Sequence, residues 1–368
     1  MRRQGVNPPV HSIRMPSDRP VDCPEDLARE VAYFPDPMRL AAEMRTLRMF
    51  GRYPWRIVAR IRGWGKRPDK SRLLEAAWLG KRLKAAGIGH VHAHFSGIAA
   101  RTAYWLKGFY GISYSFTGHA NDMFCKANSP ISLEDLVREA SFVVAVSDFT
   151  RDWLAAGHPA HKAKIHRIYN GIDCGLFASH GARPEIPLIV SVGRYVEKKG
   201  FATLIDACAI LRGRGVDFRC RVAGGGPLEE TLRAQVVQRG LDGVVELVGP
   251  MPQEDVRALL AEASLFVLPC VREKGGGMDV LPTVVAEAMA AGLPVISTPV
   301  AGVPEMVEPS SSGLLVPERD TEQLAAAMSA LLTNPELAGR LGCRGRELAN
   351  EKFSVSSSVG SLLALLPK

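Results

Sequence analysis

From Leu188 onward the apolar positions fall into short runs of strand length. Loops rich in glycine, proline and charge separate them from longer runs with helical spacing. Leu188–Val192, Phe218–Ala223, Val244–Val248, Leu265–Leu268, Val295–Ser297 and Gly313–Val316 read as buried strands. The segment Phe201–Arg212 places Phe201, Leu204, Ile205, Cys208 and Leu211 on one side of a helix, and further helices are expected from Leu228, Thr283, Thr321 and Pro335. Such repetition of strand, loop and helix predicts a parallel sheet covered by helices.

The first half is less regular. Short strands are expected near Val10–Ile13 and Val31–Phe34, then helical pattern from Arg39 to Gly87, broken near 51–54 and 63–68. His90–Phe95 alternates as a strand, which sets His90, His92 and His94 on one face. Three imidazoles could offer nitrogens to zinc, although residues two apart on one strand cannot wrap an ion without help from other elements. A helix (Ile98–Phe109) and a strand (Ile112–Phe116) lead into the loop Thr117–Phe124, TGHANDMF. Its His119 and Asp122 lie just past a strand's carboxyl end, where open α/β sheets bind ligands. They either fix the loop or act on a ligand. A helix (Ser132–Ala140), a strand (Phe142–Ser147), a helix from Asp148 capped by Ser147 or Asp148, and a strand (Ile165–Tyr169) complete this half. Gly175–Pro187 reads as the linker.

With 368 residues the chain suffices for two domains of ordinary size. No run approaches the length of a membrane span, and Met1–Ser17 carries charges and prolines where a leader would be apolar, so a cytoplasmic protein is expected. Seven scattered cysteines without a C-x-x-C pair suit reduced thiols. Charge is more informative. Residues 1–184 hold 28 basic against 16 acidic groups, a net +12, while the rest is net −4. Arg45–Lys84 alone holds thirteen basic residues, with Trp55, Trp64 and Trp78 among them. Solvated helix faces, an anionic membrane surface and nucleic acid all suit such a stretch, but no nucleic-acid-reading motif accompanies it.

The densest chemistry lies in the second half. Cys270–Pro299 reads as strand end, Gly-rich loop (Gly275, Gly276, Gly277), helix and next strand. The three glycines leave no side chains to block a ligand, Pro282 suits the first helical position, and Thr283–Ala291 continues as helix up to Gly292. The free N–H groups at such a helix start favour an anion, above all a phosphate. Glu287 is the one acid in this apolar helix, either solvated or set to accept hydrogen bonds from sugar hydroxyls. In GRYVEKKG, Gly193–Gly200, Arg194 and Lys199 follow a strand end and could hold a diphosphate. The turn Gly224–Pro227 is Gly-rich, but the absence of G-x-G-x-x-G disfavours a nicotinamide cofactor.

Asp279, seven residues, Glu287 and then AMAAGLPVIST resemble the acidic-x7-Glu signature of family 4 retaining glycosyltransferases, most of all the colanic-acid-type exopolysaccharide enzymes. FTGHANDMF, Asn170–Asp173 (NGID) and GRYVEKKG are similar to further motifs of that family. The resemblance implies a GT-B fold of class α/β, two Rossmann-like domains facing across a cleft. Residues 1–180 would form the acceptor-side domain, 187–352 the nucleotide-sugar domain, and 353–368 a helix crossing back. The family's opening strand, Gly-containing loop and helix lack a counterpart, which implies a truncated start or impaired activity.

By the same resemblance Arg194 and Lys199 meet the diphosphate and Glu287 the ribose, while Asp279 and His119 lie beside the transferred sugar, with Asp122 in support. Gly193, Gly225, Pro250, Pro282, Thr283 and Val284 complete the donor site. The implied activity is metal-independent transfer, with retention, from a nucleoside-diphosphate sugar to a saccharide or lipid-linked saccharide in exopolysaccharide or cell-surface glycan synthesis. No cofactor is expected; the donor is a substrate. The location would be cytoplasmic and peripheral at the inner membrane face. The alternative is a sugar-nucleotide-binding protein that no longer transfers.

Overall fold

The structure, a computed structural model, describes residues 1, 5, 8–12, 31–34, 69–119, 123–124, 131–177 and 184–367. The chain divides into two compact units. One comprises residues 1–146, 151–167 and 362–368, and the other 147–150 and 168–361. Asp122 and residues 45–68 of the basic stretch lie outside the described residues.

In the first unit, β1 (His11–Ser12) and β2 (Ala32–Tyr33) form a small parallel pair. Helix α1 (Lys70–Ala85) precedes β3 (His90–His94), α2 (Ile98–Tyr110), β4 (Ser113–Gly118), α3 (Leu133–Glu139), β5 (Val143–Ala145), α4 (Asp148–Gly157) and β6 (Ile165–Arg167). Strands β3 to β6 lie side by side, all parallel, in chain order. Trp105, Tyr114, Phe116 and Leu136 are almost fully removed from water and form the centre of this core. Burying each such side chain contributes roughly 1.5–3 kcal/mol. The Tyr110 hydroxyl donates to the Ala77 carbonyl at 2.8 Å and ties α2 to α1. Ser132 and Asp135 cap α3 reciprocally, and Ser147 accepts from the Thr150 N–H at 3.0 Å at the start of α4.

Two sequence expectations shift here. Strand β4 continues through Thr117 and Gly118, two residues that the alternation assigns to the loop, because β3 pairs as far as Thr117 and β5 as far as Gly118. Strand β5 is shorter than Phe142–Ser147, since Ser147 turns away to cap α4.

The second unit holds β7 (Leu188–Val192), α5 (Phe201–Gly213), β8 (Arg219–Ala223), α6 (Glu229–Gln238), β9 (Val245–Gly249), α7 (Gln253–Glu262) and β10 (Leu265–Leu268). Then follow α8 (Thr283–Ala290), β11 (Val295–Ser297), α9 (Val303–Met306), β12 (Leu314–Leu315), α10 (Thr321–Thr333) and α11 (Pro335–Lys352). The last helix, α12 (Val355–Leu365), starts in this unit and ends in residues assigned to the first.

All six strands are parallel, in the order β12-β11-β10-β7-β8-β9. Chain order therefore reverses between β7 and β10, the position in open α/β sheets at whose carboxyl ends ligands bind. Gly200 sets how closely the loops leaving those two strands approach. Its φ is +70°, and a Cβ there would sit 1.8 Å from the Pro269 carbonyl oxygen just past β10. Gly200→Ala is therefore expected to destabilise the protein by about 2 kcal/mol or more in urea denaturation. A cost below about 0.5 kcal/mol would contradict this packing account.

Candidate functional site

The loop after β7 runs from Gly193 to Gly200 and contains a 3-10 turn at Glu197–Lys199. It is stitched to the loop after β10 through main chain: Val271 N–H donates to the Lys198 carbonyl (3.0 Å), and Lys198 N–H donates to Glu273 Oε1 (3.3 Å). Side chains then close the gap. Asp279 lies 3.0 Å from Lys198 Nζ and 2.5 Å from Lys199 Nζ, with all three side chains less than a fifth exposed. Burial alone would push the Asp279 carboxyl up, but the Lys199 and Lys198 ammonium groups more than offset it, and the carboxyl is held below its usual range. Beneath it, burial and the Asp279 charge push the Cys270 thiol up to about 12, so this sulfur stays a neutral thiol.

The remaining donor-side residues surround this cluster. A Cβ on Gly193 would meet Lys199 Cε at 3.0 Å, so the lysine chain runs over that glycine on its way to Asp279. Arg194 is exposed, and its guanidinium forms no ion pair or hydrogen bond among the described residues. Tyr195, fully buried, bonds Val222 through its hydroxyl (2.8 Å) and Gly225 through its N–H (2.9 Å), locking the β7 and β8 loops together. Gly225 in turn packs on Pro250, whose Cγ would lie 3.0 Å from a Cβ at that position.

Pro282 occupies the cap before α8 (φ −68°, ψ 109°) rather than the first helical position, which Thr283 takes. The extended ψ turns the chain in from the loop, and the helix starts one residue later than expected. Val285 N–H bonds the Pro282 carbonyl at 3.0 Å, while the N–H groups of Thr283 and Val284 have no acceptor among the described residues. One turn on, the half-buried Glu287 carboxylate likewise accepts no hydrogen bond from described residues. Burial raises its pKa, and the Arg257 charge offsets this only in part.

The three loop glycines behave differently from one another. Gly276 turns with φ +81°, but a Cβ on Gly277 would strike Glu273 Oε2 at 2.1 Å. Gly277 therefore seats a carboxylate that bonds the Lys198 backbone, and does not clear room for a ligand. Motif spacing singles out neither Lys198 nor Arg257. The available signal for Lys198 is the second lysine in EKKG, but two adjacent lysines do not reveal which one turns inward.

In the first unit, β3 and β4 share a chain of hydrogen bonds. His90 Nδ1 meets Ser113 Oγ (2.8 Å), His90 Nε2 and His92 Nδ1 both meet Ser115 Oγ (2.8 Å each), and His92 Nε2 meets Thr117 Oγ1 (2.9 Å). Ser113 donates to the Gly89 carbonyl (3.0 Å), and with neutral rings this sets the direction of the other bonds. Ser113 must accept from His90 Nδ1–H, Ser115 must donate to His90 Nε2, His92 Nδ1–H donates to Ser115, and Thr117 donates to His92 Nε2. Burial lowers the pKa of both imidazoles and so favours these neutral forms, in which all four ring nitrogens are used by hydroxyls.

His119 follows β4 directly, its ring 5.9 Å from His94 and 4.6 Å from Phe95. At the near end of the basic stretch, the Arg82 guanidinium stacks 3.8 Å over Trp78.

An all-parallel sheet of this order, with cationic loops and an open helix start at its reversal point, defines a Rossmann-like domain, here with a second parallel α/β unit before it. Solved glycosyltransferases share this architecture. A Rickettsia africae glycosyltransferase superposes with a TM-score of 0.70 at 18% identity over 82% of each chain. Anabaena HepE, solved with UDP and glucose, gives 0.67 at 19% identity over 82% of this chain and 84% of its own. The fold is GT-B.

Residues 28–176 match the family described as Glycosyltransferase Family 4, and 176–348 match Glycosyl transferases group 1. Escherichia coli WcaL, named for colanic acid biosynthesis, is 38% identical over 63% of this chain and 59% of its own. The amylovoran biosynthesis glycosyltransferase AmsK of Erwinia amylovora is 33% identical over 73% and 67%. A Mycolicibacterium smegmatis GDP-mannose-dependent phosphatidylinositol monomannoside mannosyltransferase is 30% identical over 80% and 76%. The chain spans about half to three fifths of the WcaL proteins it matches. It belongs to the group 1, family 4 glycosyltransferases. No described helix is long and apolar enough to cross a membrane.

The histidine chain has a measurable consequence. Burial, with smaller contributions from His94 and His90, holds the His92 pKa down to about 3, against 6.5 for a free imidazole. Between those values the unfolded chain binds a proton that the folded one refuses, so stability is full above pH 6.5 and falls as pH drops toward 3. Each pH unit in that window costs about 1.4 kcal/mol at most. His92→Gln is expected to flatten the slope of stability against pH between 6.5 and 4 in urea denaturation; an unchanged slope would contradict the neutral chain.

Proposed function

We propose that this chain is a retaining glycosyltransferase that takes a sugar from a nucleoside-diphosphate sugar and passes it to a saccharide or lipid-linked saccharide in exopolysaccharide synthesis. The observation that carries this reading is the cationic site at the reversal point of the second unit: Lys198 and Lys199 on Asp279, with two free N–H groups at the start of α8.

The donor's diphosphate binds at Thr283 and Val284, where helix-end N–H groups favour an anion. Arg194 and Lys199 supply the remaining positive charge, Lys199 exchanging part of its contact with Asp279 for a phosphate oxygen. Glu287, with an unfilled carboxylate one turn below, accepts hydrogen bonds from the ribose hydroxyls. As the bond from the anomeric carbon to the diphosphate breaks, negative charge grows on the leaving group, and groups already aimed at it lower the barrier. Two cations and a helix end can meet that charge without a divalent ion.

Asp279, kept ionised by Lys199 and Lys198, faces the positive charge that develops on the sugar. His119 in the first unit lies on the acceptor side. The basic stretch that ends in α1 supports an acceptor carried at an anionic membrane surface, on the cytoplasmic side where nucleotide sugars are made.

Calorimetry with uridine, guanosine and adenosine diphosphate sugars, beside a product assay on the same sample, tests this function. One donor should bind and turn over, and Lys199→Ala should weaken its binding about tenfold or more, since charge-assisted bonds to phosphate are strong ones. Unchanged donor affinity in that variant would remove the diphosphate assignment, and binding without turnover by the wild type would favour a sugar-nucleotide-binding protein. The same product, formed faster on vesicles containing phosphatidylglycerol than on neutral vesicles at low salt, is the result expected of a membrane-carried acceptor; equal rates would oppose it.

A further inference from the structure

Phe95 stands out in the first unit. It is 54% exposed, and its φ is +74°, a left-handed conformation that costs a bulky residue free energy. Burial does not explain this strain, because most of the ring faces water. The residue sits directly past the carboxyl end of β3, on the sheet edge where α/β proteins place their ligands. Its N–H donates to the Thr117 carbonyl at 2.9 Å, so the ring is carried on the paired ends of β3 and β4. The same strands are cross-linked by the His90–Ser115–His92–Thr117 chain, which fixes their register up to the residue before Gly118. His119, reached through Gly118, supports one side of the Phe95 ring at 4.6 Å and lies stacked on His94. An aromatic side chain is thus held in a costly backbone conformation, on a rigid base, with its ring presented to solvent.

We propose that Phe95 is the stacking platform for a pyranose ring of the acceptor. One face of many hexopyranoses is lined by C–H bonds, and these pack on the electron-rich face of an aromatic ring, while hydroxyls at the rim remain free for polar groups such as His119. Phe95 orients the sugar, and His119 then touches the hydroxyl at the ring's edge. This deepens the transferase reading and rests on it for the word acceptor, whereas pyranose binding itself does not.

The test uses the full chain and saturation-transfer NMR with methyl hexopyranosides, without donor. Wild-type protein should saturate the protons of one pyranose face, Phe95→Gly should reduce that saturation about fivefold or more, and Phe95→Trp should retain it. Because glycine accepts a φ of +74° freely, Phe95→Gly should keep or raise the midpoint of thermal unfolding and keep donor affinity. Equal saturation in wild type and Phe95→Gly would overturn the proposal, as would a lowered midpoint that Phe95→Trp restores without restoring sugar contact. Dodecyl pyranosides below their micelle concentration separate the two sources of the sugar. Tighter binding than the methyl compounds identifies a lipid-carried acceptor, and equal binding a free saccharide, the platform standing in either case. Failure of the transferase reading shows up separately, as absence of product from any nucleotide sugar while pyranoside contact with Phe95 persists.

Discussion

A carboxylate shared by two ammonium groups holds the reversal-point loops of the second unit together. Asp279 lies in a loop of three glycines that, without a partner, would sample many conformations. Lys198 and Lys199 come from a different loop, on the neighbouring strand, across the point where chain order reverses. The triad is mostly buried, and a buried acid with one cation would lose much of its Coulomb gain to desolvation. With two cations the balance favours the ionised form, as the lowered Asp279 pKa records. One carboxylate and two ammonium groups give the cluster a net positive charge beside the open start of α8.

The two lysines reach Asp279 from differently held backbones. Lys198 is fixed at three points: its N–H on Glu273, its carbonyl on Val271 and its ammonium on Asp279. Lys199 is held by its N–H on the Val196 carbonyl and by its ammonium on Asp279, its side chain lying over Gly193. Both lysines thus hold Asp279, a sharing that two adjacent letters in EKKG do not express.

Much of this architecture is legible from the chain. The six strands of the second unit, the reversal-point loops and the α8 start follow from apolar spacing and glycine placement, because parallel strands buried on both faces have few ways to pack. Boundaries move where a neighbour decides them, as when β3 and β5 draw Thr117 and Gly118 into β4. Partners are harder. The Asp279–Glu287 spacing gives positions on one loop and helix, but the lysines that hold Asp279 lie about eighty residues upstream. Gly277 reads as open space, yet Glu273 fills it. The imidazole–hydroxyl chain has a readable signal, alternating histidines in HVHAH opposite alternating hydroxyls in SYSFT, once the register of β3 on β4 is known. Phe95 has none, since no sequence pattern announces a left-handed phenylalanine.

The most direct test is a crystal structure with a bound nucleoside diphosphate. The phosphates should lie at the N–H groups of Thr283 and Val284, with Lys199 Nζ moved from Asp279 to a phosphate oxygen and Lys198 still paired to Asp279. Diphosphate bound elsewhere, or Lys199 unmoved on Asp279 with phosphate present, would contradict the account.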